Sequence, residues 1–445
     1  MRKDEKMQEL KNLMRKLGIV GAGGAGFPSY AKLAEGADLL LINGAECEPL
    51  LATDYILLRD ELDLVLQGVL EVINKTSIKK AYIAVKAHNA ERLGWEDGEK
   101  LADGVFARAL PDVYPLGDEI SLIYEATGRL IKPGKLPITE GVIVYNVETM
   151  YNLGRGIRYN EPVTKKWLTI GGEVKNPVVI KVPLGAKIAD IFEKLNVEVK
   201  EGYTVIDGGP SMGKVINPRT YAVNKTTKGI LILPDNSQAI LSKKTNEVLA
   251  TKRAETACCQ CTRCTDMCPR HLLGYPLEPH KMVRTAMGVV EAMPDMVISA
   301  TLCCGCGVCE SLACNQGISP KAVIDNYKKL LSKNRLRFDK NGEYSVKEER
   351  EYRMLPYKKW MSALGVSVFD RDTDFYGEIN DFERVEMTLS RHIGIPSIPA
   401  IKDGDIVEKG DLIANAGDGL SLPQHASISG RVTLGNDKII IDKVR

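Results

Sequence analysis

Cys258-Cys259-Gln260-Cys261-Thr262-Arg263-Cys264-Thr265-Asp266-Met267-Cys268-Pro269 is answered downstream by Cys303-Cys304-Gly305-Cys306-Gly307-Val308-Cys309-Glu310-Ser311-Leu312-Ala313-Cys314-Asn315. Each run spaces three cysteines two residues apart and sets a fourth a little further on. Thiolates at this spacing fold a short loop around an iron–sulfur cube, and the fourth cysteine of each run reaches across to the other cube. The crossing assigns one [4Fe-4S] cluster to Cys258, Cys261, Cys264 and Cys314, and the other to Cys303, Cys306, Cys309 and Cys268. The second run carries one extra residue before Cys314 and has Asn315 where the first has Pro269. Cys304 or Cys259 therefore stays open as a substitute ligand. A chain built this way is expected to carry single electrons.

Disulfides and structural zinc are the competing readings. Ten of the eleven cysteines lie between positions 258 and 314, whereas a disulfide framework spreads cysteines through a small secreted scaffold, and no secretory signal peptide is expected here. Structural zinc commonly uses two separated Cys-x-x-Cys pairs, while each run here already holds four cysteines. Cys47, Cys259 and Cys304 are left over and read as small buried thiols.

At 445 residues the chain exceeds what one core usually supports, so about three or four domains are expected. Hydrophobic residues at 44% and charged residues at 27% are ordinary for a globular protein. A formal net charge of +2 gives no global attraction to nucleic acid or to an anionic membrane, and no apolar run reaches the ~20 residues of a transmembrane segment. Exposed clusters are sensitive to oxidation, which points to the cytoplasm of an anaerobe or facultative anaerobe.

Towards the N-terminus, Leu10, Leu13, Met14 and Leu17 share one helical face that Gly18 ends. The face is expected to pack on the fold, with a docking peptide as the alternative. Gly21-Ala22-Gly23-Gly24-Ala25-Gly26-Phe27-Pro28 follows at once. It contains G-x-G-x-x-G, but only three residues separate it from the helix, too few for the strand a dinucleotide fold requires. The remaining chemistry is a backbone that closes on a phosphate or a planar ring, with Pro28 opening the next helix.

The glycine loop with Lys32, then Asn43-Gly44-Ala45-Glu46-Cys47-Glu48-Pro49, Gly117-Asp118-Glu119 and Asn146-Val147-Glu148-Thr149, resembles the ordered motifs of the flavin- and NADH-binding subunit of respiratory complex I and its relatives. The resemblance implies FMN held by Gly21, Gly23, Gly24, Gly26, Lys32, Asn43 and Asn146. It also implies that Glu46, Glu48, Asp118 and Glu119 shape the flavin and NADH site. Phe27 matches the first of two aromatics of the family's nucleotide site. Leu33, Ala34 and Glu35 follow Lys32, so the second is missing and modest NADH affinity is expected.

Residues 164–240 alternate short apolar runs with turns around one helix near Ile188 to Leu195, similar to the β-grasp (SLBB) domain of the same family. Residues 340–380, with Lys347-Glu348-Glu349-Arg350-Glu351-Tyr352, read as a charged linker or exposed segment. Gly-Asp turns at Gly404 and Gly410 and the stretch Ala426 to Val432 resemble the barrel-sandwich hybrid of lipoyl and biotinyl carriers, without the carriers' lysine in Ser427-Ile428-Ser429-Gly430.

The expected fold is α/β multidomain: a complex I flavin-subunit-like α/β domain over 1–160, a β-grasp domain over 161–242, a ferredoxin-like two-cluster helical domain over 243–335, and a linker with the barrel-sandwich domain over 336–445. In the RnfC component of the Rnf complex the barrel precedes the flavin domain. Here it follows the clusters, an order similar to the cobalamin reductases of propanediol-utilisation microcompartments. That resemblance implies an NADH-dependent FMN and iron–sulfur electron-transfer flavoprotein that reduces cobalamin for reactivation of a B12-dependent enzyme. Implied partners are cobalamin, a corrinoid adenosyltransferase or another acceptor protein, and the microcompartment shell. The alternatives are an adaptor of another anaerobic reductase, such as proline reductase, an Rnf-type oxidoreductase component, or a scaffold that has lost flavin. No catalytic side chain is assigned.

Overall fold

Leu39–Asn43 reads LLLIN and is buried along almost its whole length, which suits the centre of a parallel sheet covered by helices on both faces. The computed structural model, which describes residues 3–390 and 392–444, places it there. Across the sheet the strands run Lys100–Ala102, Val105–Leu110, Lys80–Lys86, Leu39–Asn43, Val142–Asn146. All neighbours are parallel except the first pair. The chain steps from Leu39–Asn43 outward through Lys80–Lys86 to Val105–Leu110, then returns to the other side of Leu39–Asn43 as Val142–Asn146. The crevice beyond Asn43 and Asn146 is therefore a topological switch point, where open α/β sheets bind ligands.

Helices Leu62–Lys75 and Val147–Tyr159 cover one face. They meet almost backbone to backbone, since a Cβ at Gly68 would overlap the Met150 carbonyl and one at Gly154 the Leu64 carbonyl. Glu119–Thr127 covers the other face. The N-terminal helix Lys3–Lys16 and the turn after it bury Leu10, Met14 and Leu17 in the same core as the first face. That stripe is a packing face, and its use as a free docking peptide is ruled out by its burial. The glycine loop opens no long helix: Pro28 leads into the single turn Ser29–Lys32.

The β-grasp sheet runs Lys214–Val215, Tyr203–Asp207, Gly229–Pro234, Lys165–Gly172, Val178–Pro183, Asp374–Glu378, with the expected helix at Ile188–Lys194. Its last strand corrects the reading of 340–380 as a linker. The charged run is indeed exposed, with Tyr352 at 87%. Beyond it, Leu355–Pro356 pairs with Val113–Tyr114, helix Tyr357–Leu364 buries Trp360, Met361 and Leu364, and Asp374–Glu378 pairs with Val178–Pro183. A short apolar stripe of helical period was hidden by the charges on either side of it.

Helices Glu247–Ala257, Pro279–Ala286 and Pro320–Lys333 enclose the cysteine runs. The C-terminal part forms the expected small flattened barrel. One sheet is Arg384–Thr388, Lys438–Asp442, Gly430–Leu434, Ile406–Val407, and the other is Ile398–Pro399, Leu412–Asn415, Gln424–His425. Ser427 of its apposed turn donates to the Leu184 carbonyl of the β-grasp domain. Among the described residues no helix is long and apolar enough to cross a membrane.

Candidate flavin crevice and cysteine pockets

At the switch point the glycine loop is closed by the Gly21 amide donating to the Phe27 carbonyl at 2.8 Å, with Phe27 half-buried. A Cβ on Gly23 would stand 3.0 Å from the Asn146 side chain, while one on Gly24 would meet nothing within 4 Å. Gly24 thus presents bare backbone to open space, next to Gly23 seated on Asn146, an arrangement that suits close approach of a planar ring or a phosphate. Both asparagine amides are engaged in the scaffold. Asn43 Nδ2 donates to the Gly117 carbonyl at 3.0 Å, and Asn146 Nδ2 donates to the Asn43 carbonyl at 3.1 Å and to Asp54 at 3.0 Å. Asn146 Oδ1 accepts from the Glu148 amide, capping the helix that follows. Lys32 reaches the same end of the sheet, donating to Glu119 at 2.8 Å and to the Val144 carbonyl at 3.1 Å, and its side chain is 30% exposed. These residues fit FMN: backbone amides and a lysine for its phosphate, glycines for its ring. Bound there, a flavin would accept a hydride and release electrons singly.

The acidic residues divide. Glu46 accepts from the Thr53 hydroxyl at 2.8 Å and the Asp54 amide at 3.1 Å; burial, with Asp54 beside it, raises its pKa to about 7 against the pull of Lys228. Glu48 turns towards the β-grasp domain, where the Ser211 and Met212 amides donate to it at 2.9 and 3.0 Å, and burial raises its pKa. Asp118 caps Glu119–Thr127 by accepting from the Ser121 amide and pairs with Arg270 Nη2 at 2.7 Å. Of the four, Glu119 stays by the crevice, the Glu46 carboxylate is buried against Asp54 and against Lys228 of the β-grasp domain, and Glu48 and Asp118 tie the crevice to neighbouring domains.

The cysteines fall into two groups. Cys268, Cys303, Cys304, Cys306 and Cys309 line one pocket, so the last cysteine of the first run does join the second. Cys258, Cys261 and Cys314 lie near enough to Cys264 to raise its pKa, after the larger effect of burial, to about 12. Cys258 and Cys314 pack into one apolar cluster with Ala250, Ala254 and Val323. Clustered thiols are the donor set from which an iron–sulfur cube displaces protons, and the residues fit such groups. Among the described residues no three His, Cys, Asp or Glu side chains close around a point as for a single metal ion.

Family models agree with this division. A Nuo51 FMN-binding domain matches residues 14–155, a 4Fe-4S dicluster domain 257–319, and an RnfC barrel-sandwich hybrid domain 377–439. The chain is 36% identical over 434 residues to cobalamin reductase PduS of Salmonella typhimurium, covering 97% of this chain and 96% of that one. The chain belongs to the PduS family. Citrobacter freundii PduS is also 36% identical, with 96% and 94% covered. A component of the proton-translocating ferredoxin:NAD+ oxidoreductase complex of Clostridium ljungdahlii is 31% identical over 61% of this chain and 58% of that one. Among solved structures, the H2-reduced NAD+-reducing [NiFe]-hydrogenase aligns with a TM-score of 0.44 at 18% identity, covering 80% of this chain and 64% of that one.

In this PduS-family chain, sequence reasoning missed Tyr114 and Arg270, which join the crevice to the cysteine pocket, and Lys86, which lies under the helix Tyr357–Leu364. Tyr114 donates to the Cys306 carbonyl at 2.7 Å and stacks on Trp360 with 4.6 Å between ring centres. Arg270 pairs with Asp118. Lys86 ends its strand fully buried, with no hydrogen-bond partner for Nζ among the described residues, 3.4 Å above the ring of Tyr357. Burial lowers its pKa to about 8. Tyr114 lies three residues before the Gly117-Asp118-Glu119 motif, and Arg270 two residues past Cys268, but neither has a spacing that signals a partner far away in sequence.

Proposed function

We propose that the protein is an NADH-dependent FMN and iron–sulfur reductase that passes single electrons through two [4Fe-4S] clusters to cobalamin. The observation that carries this reading is the contact between crevice and pocket: Cys47 of the crevice packs in one apolar cluster with Cys306 and Cys304. A hydride carries two electrons and each cluster accepts one, so a flavin is the group that joins the two. The order follows from exposure. The cluster of Cys303, Cys306, Cys309 and Cys268 adjoins the flavin domain and is proximal. Cys261 of the other set is exposed, as is neighbouring Cys259, so that cluster is distal and delivers the electron.

NADH is the proposed donor, bound with modest affinity because Leu33, Ala34 and Glu35 follow Lys32 in place of the second stacking aromatic. The flavin set is Gly21, Gly23, Gly24, Gly26, Phe27, Lys32, Asn43 and Asn146, with Glu119 at its rim and the buried Glu46 carboxylate behind it. The setting is the cytoplasm, inside a microcompartment, with a corrinoid adenosyltransferase as the natural consumer of reduced cobalamin. Anaerobic stopped-flow spectroscopy tests the reading: NADH should bleach the flavin first, the clusters next, and added cob(III)alamin or cob(II)alamin should reoxidise both. Reoxidation by other carriers and not by cobalamin would favour an adaptor role, and spectra that stay oxidised with excess NADH would move the donor to a protein.

A further inference from the structure

Arg270 lies in the turn Pro269–Leu272, two residues past Cys268. Its Nη2 is held by Asp118 at 2.7 Å, with the two side chains only 13% and 12% exposed. Its Nε is buried and has no hydrogen-bond partner among the described residues, and the side chain lines the pocket shared by five cysteines. Tyr275 shields the guanidinium, whose carbon stands 5.3 Å from its ring centre. A guanidinium is a rigid planar fork of five N–H donors, so fixing one edge on Asp118 fixes where Nε points. A buried N–H with no acceptor costs free energy, and the five cysteines that line this pocket bring sulfur acceptors to it. Charge and hydrogen bonds to sulfur are the quantities by which a protein sets an iron–sulfur potential.

We propose that Arg270 sets the potential of the proximal cluster: Nε donates to a cluster sulfur, and Asp118, from the flavin domain, orients the guanidinium and offsets part of its charge. The proposal rests on the two-cluster reading above. In the step concerned, one electron moves from the reduced flavin to an oxidised cube, the cube becomes more negative by one charge, and the flavin's proton leaves to solvent. No bond to a substrate forms or breaks. The positive guanidinium favours the more negative, reduced cube and so favours transfer out of the flavin. Asp118, assigned from sequence to the nucleotide site, acts here as the positioning partner of Arg270.

The test is an EPR-monitored redox titration of the anaerobically purified full-length protein in a Cys261→Ser background, where the remaining signal belongs to the proximal cluster. Arg270→Gln should lower its potential by at least about 59 mV, a tenfold shift for a one-electron couple. Asp118→Asn, which removes the opposing charge and keeps the shape, should move it the other way, and Arg270→Lys should fall between Gln and the parent. Potentials unchanged in Arg270→Gln, or both variants moving in the same direction as a displaced strut would, overturn the proposal. Should Arg270→Gln fail to assemble the cluster, the direction read in Asp118→Asn decides. A parent protein with fewer than two clusters would instead overturn the two-cluster reading itself.

Discussion

Asn43 and Asn146 end two neighbouring parallel strands in the same register, and Asn146 Nδ2 donates to the Asn43 carbonyl at 3.1 Å. Residues 103 positions apart in sequence thereby pin the two lips of the crevice together, and the glycine loop lies against the second of them. Cofactor binding, cluster assembly and stability can each be perturbed from this frame with a defined outcome.

Gly24→Val should lower FMN occupancy after purification while leaving the unfolding free energy of flavin-free protein within about 0.5 kcal/mol of the parent, because a Cβ there has no protein atom within 4 Å. Lys32→Ala should also lower occupancy, through lost attraction for phosphate. Full flavin content in the valine variant would show that the loop is not the cradle.

Metal analysis should return close to eight irons and eight acid-labile sulfides per chain, about four of each per cube. Cys314→Ser should damage the cluster of the first run, and Cys268→Ser that of the second. A parent value near four irons, or zinc in their place, would contradict two clusters.

Lys86→Met should stabilise the protein at pH 7 by about 1–3 kcal/mol, the cost of holding a buried charge less its attraction to the Tyr357 ring. The sign follows from proton counts. The unfolded lysine keeps its proton to about 10.5 and the folded one releases it at about 8, so between these values the unfolded state binds more protons and stability rises with pH. Below pH 8 both states are protonated and the penalty is fully present. Denaturant titrations from pH 7 to 10 should show that rise in the parent and a flatter profile in the methionine variant. A methionine variant weaker at pH 7, with the parent's slope, would mean that the ammonium is a net stabilising group.

Gly68→Ala should cost about 3 kcal/mol or more, since the new methyl overlaps the Met150 carbonyl and two helices must separate. Trp360→Ala should cost about 3–5 kcal/mol in the unit that joins the Tyr357–Leu364 helix to Tyr114, and should lower the proximal cluster's occupancy. Chemical denaturation followed by tryptophan fluorescence and by visible absorption reads both; a Trp360 variant with intact cluster absorbance would separate that helix from the pocket.

The two cysteine runs, the glycine loop and the Asn-Gly-Ala-Glu-Cys-Glu motif were legible because metal clusters and flavins impose local spacing, and local spacing survives in one dimension. The β-grasp helix and the Gly-Asp turns of the barrel were legible for the same reason, since periodicity and turn chemistry are short-range. The helix Tyr357–Leu364 and the strand Asp374–Glu378 were not. Their apolar positions are few, and their partners, Tyr114 and Val178–Pro183, lie in domains far earlier in the chain. Lys86 gave no signal either, because a lysine ending an apolar strand reads as a solvent-facing terminus until a helix from the far end of the chain is laid over it.

By itself, then, the sequence determined which kinds of group the chain is built for, iron–sulfur and flavin, through the cysteine spacing between Cys258 and Cys314 and the motif order of the N-terminal domain. Only the tertiary structure decided how those groups face one another. The carboxylates of Glu48 and Asp118 became struts to Ser211 and Arg270, and Tyr114 came to rest on the Cys306 carbonyl. Electron transfer between flavin and cluster depends on which surfaces are buried against each other, and burial is a sum over residues far apart in sequence that no local pattern encodes.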